Sequence, residues 1–360
     1  MFLESIYCKN FRNFRDLSLK LFDGRNLIIG NNGIGKTNLI EMVYFLSTFG
    51  SFRTKRADNL LYFGEKFFIL SGVYGDREVK IKYSGKKEVF INDLKQNSIK
   101  EAFGAIPVVA LTNEDVNIIN GDPSKRRYLM NISISLYDRK YLAYLYEFRK
   151  VKKQRNKLLL RAKKGGPLGN FELWEKQLIG LIYPIVEARK AFIDKLSLYA
   201  REIFGELTGK SATIQYIPGA DYSNIEEEFK RKRQHEIEVG YTLFGPHRDN
   251  IRFLVGDHSA KTSASFGVKK LLVTSLKIAI SRMLTEIRGE EPVLLIDEML
   301  GGLDKRNANS LSEFLSEAGQ VLITTTDKYL INDKDYNVYM IEEGNESPFV
   351  RKCTEEIHTF

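Results

Sequence analysis

The sequence predicts an α/β fold in which mixed sheets with flanking helices are interrupted by an inserted helical-hairpin arm. A glycine-rich loop at residues 30–37 lies between a short apolar strand and a helix-like run, a common α/β arrangement. A second segment, residues 292–296, is wholly apolar, as expected of a central parallel strand covered on both faces. The long stretch between them has helical periodicity. Together these observations predict one head that is discontinuous in sequence and one helical arm.

The composition fits a globular protein with a basic surface. The chain has 360 residues, of which 43% are hydrophobic and 28% are charged, and this length suffices for two lobes with a substantial core. The formal net charge is +9. An excess of positive charge favours a polyanionic partner.

Cysteine and apolar content predict a cytoplasmic protein without a membrane segment. Cys8 and Cys353 are the only cysteines and lie far apart in sequence, so no disulfide framework is expected. The four histidines show no zinc-ligand spacing. Glu4 and Lys9 interrupt the first apolar stretch, which excludes a signal-peptide pattern. No apolar run approaches the ~18 residues that a membrane helix needs.

Alternating and apolar segments predict the strands of the head. Residues 2–8 and 15–22 alternate as in a hairpin, and residues 67–75, 77–83 and 87–91 have the pattern of a meander. Further strands are predicted at 27–29, 106–111, 211–217, 251–255, 292–296 and 320–326. Helices are predicted at 38–46, 223–238, 268–288 and 304–318, and residues 344–360 are predicted to be a loose tail.

A helical arm is predicted from about residue 123, where a proline suits the first helical turn. Apolar residues recur at helical spacing on both sides of a Gly/Pro break at 165–169, which indicates two long antiparallel helices. Pro184 is placed to kink the second helix. The second helix carries an apolar seam with alternating steps of four and three: Trp174, Leu178, Leu181, Ile185, Ala188, Phe192 and Leu196.

The tip end of the first arm helix is strongly basic. Residues 149–164 hold nine Lys or Arg residues and no acid. Unopposed cations repel each other unless an anion lies nearby, so this run is a candidate for nucleic-acid contact. A solvated helix face and a contact with a protein partner are the alternatives.

Residues 30–37 read GNNGIGKT, which matches the GxxxxGK[ST] pattern of a phosphate-binding loop. Glycines let backbone N–H groups approach phosphate oxygens that a Cβ would block, and the following helix points its N-terminus at the anion. Lys36 is expected to reach the β- and γ-phosphates, and the Thr37 hydroxyl to hold Mg²⁺. The predicted nucleotide-binding residues of this loop are Gly30, Asn31, Asn32, Gly33, Ile34, Gly35, Lys36, Thr37 and Asn38.

An acidic pair, Asp297-Glu298, follows the apolar strand at 292–296. Asp297 is expected to bind Mg²⁺ through water next to Thr37, and Glu298 to act as the general base that orients water on the γ-phosphate. ATP and Mg²⁺ are therefore the predicted cofactors. Lys36, Asp297 and Glu298 are the predicted catalytic residues.

Further motifs make the chain resemble the RecF family, bacterial recombination mediators with an SMC-like, ABC-type ATPase head. A helical hairpin between the two halves of the nucleotide site is the plan of SMC-like heads. The matching segments span nearly the whole chain: residues 10–14 (NFRNF), 30–38, 51–54 (SFRT), 121–127 (GDPSKRR), 245–249 (GPHRD) and 297–304. On this plan we expect an ATPase head at 1–122 and 240–343, an arm at 123–239, and a C-terminal tail at 344–360.

The resemblance also implies the role of several residues. Arg12 would lie near the nucleotide, and Asp304 in the D-loop would meet the partner subunit. Glu114-Asp115 falls in the region of the family's Q-loop, and Thr324 at a switch position. The signature motif, usually Ser-Gln-Gly-Gln-Gln-Arg, is here Ser265-Phe266-Gly267-Val268-Lys269-Lys270, so only Ser265 and Gly267 remain to hold phosphate in trans.

The resemblance implies a homodimer that closes on ATP and binds gapped DNA or single-strand/double-strand junctions. It implies help in loading RecA, with RecR as the partner and RecO in the same pathway, and slow hydrolysis that times release. The candidate DNA contacts are Arg53, Lys55, Arg56, Lys125, Arg126, Arg127, Lys152, Lys153 and Arg155.

Other classes of function are open or disfavoured. The altered signature motif favours, as the alternative, a diverged SMC-like scaffold with weak or no ATP-driven closure. An SMC-like nuclease is not expected, because little sequence follows the Thr-rich strand. A small-molecule P-loop kinase is disfavoured, because the hairpin and the Gly-Gly-Leu-Asp loop would have no role in it.

Overall fold

The computed structural model describes residues 1–298, 314–315, 318–326 and 336–353. The chain divides into two compact units, which are Met1–Asp115 with Thr274–Phe360, and Val116–Val273. We call them the first and the second unit.

Most strands lie in the first unit, and most of the long helices lie between residues 117 and 239. The strands are β1 (Leu3–Phe11), β2 (Phe14–Lys20), β3 (Gly24–Ile29), β4 (Phe68–Tyr74), β5 (Arg77–Tyr83), β6 (Lys87–Ile91), β7 (Leu94–Lys95), β8 (Val108–Thr112), β9 (Ala212–Ile217), β10 (Asn250–Val255), β11 (His258–Ser259), β12 (Val293–Asp297), β13 (Gln320–Thr325), β14 (Tyr336–Glu342) and β15 (Phe349–Lys352). The helices are α1 (Lys36–Thr48), α2 (Ile99–Ala102), α3 (Asn117–Asn120), α4 (Pro123–Ser135), α5 (Arg139–Lys163), α6 (Phe171–Thr208), α7 (Ile225–Val239), α8 (Ala260–Ser263) and α9 (Phe266–Arg288).

One sheet of the first unit is antiparallel, with the described strands in the order β2-β1-β4-β5-β6-β7. It confirms the predicted hairpin and the predicted meander. Its inward-facing residues alternate as expected of a half-buried strand: Phe68, Leu70 and Tyr74 in β4 are fully buried.

The other sheet of the first unit has the order β15-β14-β3-β13-β12-β8 among the described strands. Strands β14, β3, β13, β12 and β8 run parallel to their neighbours. The complete burial of β8, β12 and β13 explains their continuous apolar runs in the sequence. Thr324 pairs with Ile28 on one side and with Asp297 on the other. The ends of β3, β13 and β12 therefore meet at one edge, where loop residues can assemble a site.

The predicted loose tail is wrong for residues 349–352. These residues form β15, which pairs antiparallel with β14 and so lies at the edge of the sheet. Arg351 forms an ion pair with Glu342 across the two strands, at 2.8 Å. The Lys352 ammonium lies 3.6 Å from the centroid of the Phe22 ring. This strand was hard to predict from the sequence because its stabilising partners lie in other strands.

The second unit confirms the predicted helical hairpin. Tyr141 and Arg155 of α5 contact Arg189 and Glu175 of α6, respectively, so the two helices run antiparallel. Pro184 lies inside α6 without ending it. The predicted seam is partly shifted. Leu178, Ile185, Phe192 and Leu196 are buried, whereas the buried face also passes through Glu175, Ile182 and Arg189.

The second unit extends beyond the predicted arm. Strand β10 pairs with β9 and β11, which places residues 250–259 in the sheet of the second unit. The sequence assigned these residues to the head. The compact units meet in sequence at 115/116 and 273/274, whereas the sequence divided the chain at 122/123 and 239/240. The predicted domain boundaries stay a prediction for limited proteolysis to test.

No helix among the described residues combines the length and the apolar character that crossing a membrane requires.

Candidate nucleotide-binding site

The loop at residues 30–35 connects β3 to α1, as the sequence predicted. Gly33 and Gly35 have φ angles of 81° and 124°, which L side chains rarely adopt. A Cβ on Gly35 would also lie 2.7 Å from Asn13 Nδ2. The glycine at this position is therefore required twice, by the backbone angle and by the close approach of Asn13.

Asn13, at the turn between β1 and β2, supports the loop. Its amide donates to the Ile34 carbonyl oxygen at 2.8 Å, and its Oδ1 accepts from the Asn38 amide at 2.8 Å. Arg53 donates in turn to Asn38 Oδ1 at 2.7 Å. The sequence motif contained Asn13 but gave it no role. The structure connects the phosphate-binding loop through two asparagines to the basic segment at 51–56.

The Lys36 ammonium lies inside the loop. Its Nζ donates to the carbonyl oxygens of Gly30 and Asn31 at 2.9 and 3.0 Å, and it forms an ion pair with Glu298 Oε1 at 3.0 Å. The Lys36 side chain is 3% exposed, whereas the Glu298 side chain is 38% exposed. One partner of this buried cation therefore lies close enough to water to be exchanged.

Asp297 connects the ends of two strands and a helix. Its Oδ1 accepts from the Thr37 hydroxyl at 3.1 Å and from the Thr324 hydroxyl at 2.7 Å. Burial raises the pKa of Asp297, the nearby Glu298 adds to the rise, and the two hydroxyl donors oppose it. Oxygen donors from a hydroxyl and a carboxylate suit Mg²⁺, so Thr37 and Asp297 fit the predicted metal role.

Glu298 occupies a strained backbone position directly after β12. Its φ is 53°, in the left-handed region that few non-glycine residues adopt. Its N–H donates to the Thr324 carbonyl oxygen at 3.2 Å, which holds the strained turn in place. Strain of this kind is commonest at functional sites. The turn aims the Glu298 carboxylate at Lys36.

Arg12 forms a bidentate pair with Glu41. Its Nε and Nη2 donate to the two carboxylate oxygens at 2.8 and 2.9 Å, while Nη1 donates to the Asn59 carbonyl oxygen at 2.7 Å. Glu41 is fully buried in α1 and also accepts from the Ser51 hydroxyl. Arg12 thus ties α1 to the segment at 51–59. A direct contact of Arg12 with nucleotide stays a prediction.

Ser265 and Gly267 lie at the start of α9, in the second unit. Ser265 Oγ accepts from the Val268 N–H at 3.4 Å, and Gly267 is exposed. Lys269 donates to the Lys261 carbonyl oxygen at 2.8 Å, and Lys270 is buried, which lowers its pKa. Asp304 and most of the predicted helix at 304–318 lie outside the described residues.

Most predicted DNA contacts lie at the surface. Arg53, Lys55, Arg56, Lys125 and Lys153 are exposed, and Arg127 and Lys152 are half-buried. These seven residues stay candidates.

The structure corrects the prediction for Arg126 and Arg155, because both are buried and committed to other partners. Arg126 is 6% exposed and donates to the carbonyl oxygens of Ile118 and Gly121 and to Asn250 Oδ1. Arg155 is fully buried. Neither guanidinium has a surface to offer to a DNA phosphate.

Arg155 instead organises the tip of the arm. It forms ion pairs with Glu175 and Glu236 at 2.7 and 2.5 Å, and both carboxylates are buried. Its guanidinium lies 4.7 Å from the centroids of the Phe171 and Phe229 rings. The sequence showed nine cations without a local acid. The two acids that neutralise Arg155 come from α6 and α7, 20 and 81 residues away.

Comparison with known proteins agrees with this geometry. The family described as the RecF/RecN/SMC N-terminal domain matches residues 2–347. The chain is 33% identical to the DNA replication and repair protein RecF of Lactobacillus johnsonii, over 96% of this chain and 98% of that protein. It is also 33% identical to RecF of Streptococcus gordonii, over 96% of this chain and 99% of that protein.

Solved structures of RecF and of an Smc head domain are also similar to this chain. The recombination mediator protein RecF with ATP, of the RecFOR pathway, superposes with a TM-score of 0.89 at 28% identity, and 98% of each chain is covered. An Smc head domain bound to the C-terminal domain of ScpA, from Pyrococcus furiosus, has a TM-score of 0.58 at 17% identity, over 99% of this chain and 97% of that chain. The second likeness shows a shared SMC-like head fold.

Proposed function

Because the chain belongs to the RecF family of DNA replication and repair proteins, in the RecF/RecN/SMC group of ABC-type ATPases, we propose that it is an ATP-dependent DNA-binding protein of recombinational repair. On this proposal two copies close on ATP and hold gapped DNA or a single-strand/double-strand junction. The protein helps to load RecA together with RecR, and RecO acts in the same pathway. The relative of known structure that is described with ATP and the RecFOR pathway supports this proposal.

One observation carries the nucleotide part of the proposal. A single carboxylate, Asp297, accepts from the hydroxyls of Thr37 and Thr324, beside a buried Lys36 that is paired with Glu298. Bound there by Thr37 and Asp297, Mg²⁺ would neutralise developing charge on the phosphates. The glycines of the loop leave room for phosphate oxygens, and the N-terminus of α1 favours an anion at the same place.

Lys36 and Glu298 then have complementary roles. When ATP occupies the loop, Lys36 donates to phosphate oxygens in place of the Glu298 carboxylate. Glu298, released from the ion pair, accepts a proton from the water whose oxygen bonds to the γ-phosphorus, while the bond to the ADP oxygen breaks. The exposure of Glu298 supports this exchange, since a half-exposed carboxylate loses little on leaving its partner. Hydrolysis is slow and times the release of DNA.

DNA is held mainly through its backbone. We assign this contact to the exposed or half-buried cations Arg53, Lys55, Arg56, Lys125, Arg127, Lys152 and Lys153. Binding through these residues would depend steeply on salt and weakly on sequence, because counterion release dominates such contacts.

A second candidate function is a diverged SMC-like scaffold with little ATP-driven closure. The observation that favours it is the start of α9, where Phe266 is 66% exposed between Ser265 and Gly267. A phenyl ring cannot donate a hydrogen bond to a phosphate as glutamine can. The two functions differ in whether ATP changes the oligomeric state.

The molar mass of the Glu298→Gln variant, measured by light scattering, tests the proposal. Glutamine keeps the side-chain shape and removes the general base, so bound ATP should persist. A monomer that becomes a dimer with Mg-ATP, and then binds gapped DNA, is expected. A monomer that persists although ATP is demonstrably bound would reject ATP-driven closure and favour the scaffold. Absence of ATP binding would reject the site itself.

A further inference from the structure

Four cations of the second unit converge on one short turn. Arg127 comes from α4, Arg149 and Lys152 come from α5, and Arg248 lies in the turn at 245–249 that precedes β10. We call these four residues the Arg248 cluster. His247 lies beside them. Three separate elements thus supply one basic surface.

The turn that carries Arg248 is held rigidly. Gly245 has a φ of 124°, which requires glycine. Asp249, fully buried, accepts hydrogen bonds from the hydroxyls of Tyr216 and Tyr222 and forms an ion pair with Arg189. Arg248, the residue just before this anchor, is exposed. The turn therefore presents one guanidinium from a fixed backbone, which lowers the entropy lost when a ligand binds.

Side-chain contacts place Arg127 and Lys152 beside the same turn. Arg127 Nη1 donates to the Asp249 carbonyl oxygen at 3.0 Å. The Lys152 ammonium lies 5.8 Å from the centroid of the Phe148 ring, and this ring lies 5.9 Å from the His247 ring. The buried Phe148 ring thus lies between Lys152 and the turn.

Three of the four cations have no acidic partner among the described residues. Arg149, Lys152 and Arg248 form no ion pair with any residue that the structure describes. Asp249, the acid that follows Arg248 in sequence, is already paired with Arg189 and is fully buried. Burial lowers the pKa of Lys152, and Arg248, Arg149 and Arg127 lower it further. The same surroundings, burial first and then Lys152, lower the pKa of His247 to about 3. Such mutual repulsion is relieved by a bound anion.

We propose that the Arg248 cluster binds the phosphodiester backbone of nucleic acid, with Arg248 and Arg149 as its accessible donors. The inference rests on the proposed DNA-binding function and assigns a specific site to it. A polymer fits better than a single free phosphate, because exposed cations continue along α5 at Lys153 and Lys157. Guanidinium groups suit phosphate oxygens, since they can donate two parallel hydrogen bonds.

A matched pair of double variants tests the site. The Arg149→Gln/Arg248→Gln variant removes two cations of the cluster. The Lys176→Gln/Arg201→Gln control removes two exposed cations of α6 that form no ion pair with any residue in the described ranges. Fluorescence anisotropy with a gapped duplex is measured over a series of salt concentrations. The cluster variant is expected to bind about tenfold or more weakly, with a slope of log Kd against log[salt] shallower by roughly one to two. The control should keep the slope of the unmodified protein.

The outcomes separate this inference from the proposed function. If the unmodified protein binds gapped DNA and the cluster variant keeps its affinity and slope, the site is rejected and DNA binding stands. An equal loss in the control would also reject the site. If the unmodified protein binds no DNA, the proposed function fails first. ATP affinity, measured in parallel, should be equal in all three proteins.

The imidazole of His247 gives a readout that general charge loss would not produce. A phosphate bound in the cluster screens the cations around His247, so its pKa should rise from about 3 when gapped DNA is added. NMR titration of the histidine ring follows this change directly. An unchanged His247 titration with saturating DNA would overturn the proposal.

Discussion

Each of the two units buries a cationic side chain, but the exposure of its acidic partners differs between the units. In the first unit Lys36 forms an ion pair with Glu298, whose side chain is 38% exposed. In the second unit Arg155 pairs with Glu175 and Glu236, whose side chains are 7% and 0% exposed. Lys36 can therefore exchange a partner for a ligand without leaving a buried charge unpaired, whereas Arg155 cannot. A buried cation indicates a ligand-binding site when its acidic partner is exposed to water. It indicates a structural role when that partner is buried as well.

The largest effect is expected from Arg155→Ala. Removing the guanidinium leaves the buried Glu236 carboxylate without the cation that pairs with it, while Glu175 keeps its ion pair with Arg233. The loss should lower the free energy of unfolding by about 3–5 kcal/mol. Lys153→Ala, an exposed neighbour on the same helix, should change it by less than about 0.5 kcal/mol. Urea denaturation measures both. Equal stability of the two variants would contradict the structural role of Arg155.

Lys36→Ala should weaken ATP binding strongly and change the stability of the fold only slightly. ATP binding should weaken by roughly 100-fold or more, because the buried ammonium that meets the phosphates is lost. The free energy of unfolding should change by less than about 1 kcal/mol, since Glu298 can turn to water. Calorimetry with ATP gives the first quantity, and Lys66→Ala, at an exposed site of the first unit, is the control. Tight ATP binding by Lys36→Ala would refute the assignment of the loop.

The smallest effect is expected from Asp297→Asn in the absence of ATP and Mg²⁺. Burial raises the pKa of Asp297, so the folded state holds a proton more tightly than the unfolded state. Stability therefore falls as the pH rises from the unfolded pKa to the raised folded pKa, and the loss persists above it. Asparagine still accepts from Thr37 and Thr324, so the variant should be more stable at pH 7, by on the order of 1 kcal/mol.

Urea denaturation between pH 4 and 8 checks this prediction. The Asp297→Asn protein should lack the part of the pH dependence that the carboxylate causes. Asp194→Asn, at an exposed position of α6, serves as the control and should follow the unmodified protein. A less stable Asp297→Asn protein would mean that the charged carboxylate stabilises the ligand-free fold.

The sequence predicted the parts of the site that depend on local order. The loop at 30–37 and the acidic pair at 297–298 are recognisable because spacing along the chain fixes their chemistry. Asn13 and Glu41 could not be recognised, because their roles arise from contacts with Ile34, Asn38 and Arg12 that only the folded chain creates. A sequence motif specifies residue types at fixed spacing. The side chains that hold the motif in place come from distant parts of the chain.

Contacts between residues that are distant in sequence also explain the two wrong predictions of surface cations. Arg155 was predicted to be a surface cation because no acid lies near it in sequence, yet its acidic partners lie 20 and 81 residues away. Arg126 was predicted to be at the surface too, but it donates to Asn250, 124 residues away. Strand β15 was missed for a related reason, since it becomes a strand only beside β14. Helices with strong periodicity, such as α5 and α6, needed no distant partner and were predicted well.

The position of β3 has a consequence for biosynthesis. This strand, which leads into the phosphate-binding loop, lies between β13 and β14 and pairs residues 24–29 with residues 320–325. A ribosome must therefore synthesise about 300 further residues before the strand finds its neighbours, which takes on the order of 15–60 s. During that time the apolar segment of β3 has no neighbouring strand to pair with on either side. The nascent chain therefore has an interval in which a chaperone that shields this segment would decide how much protein reaches the native state.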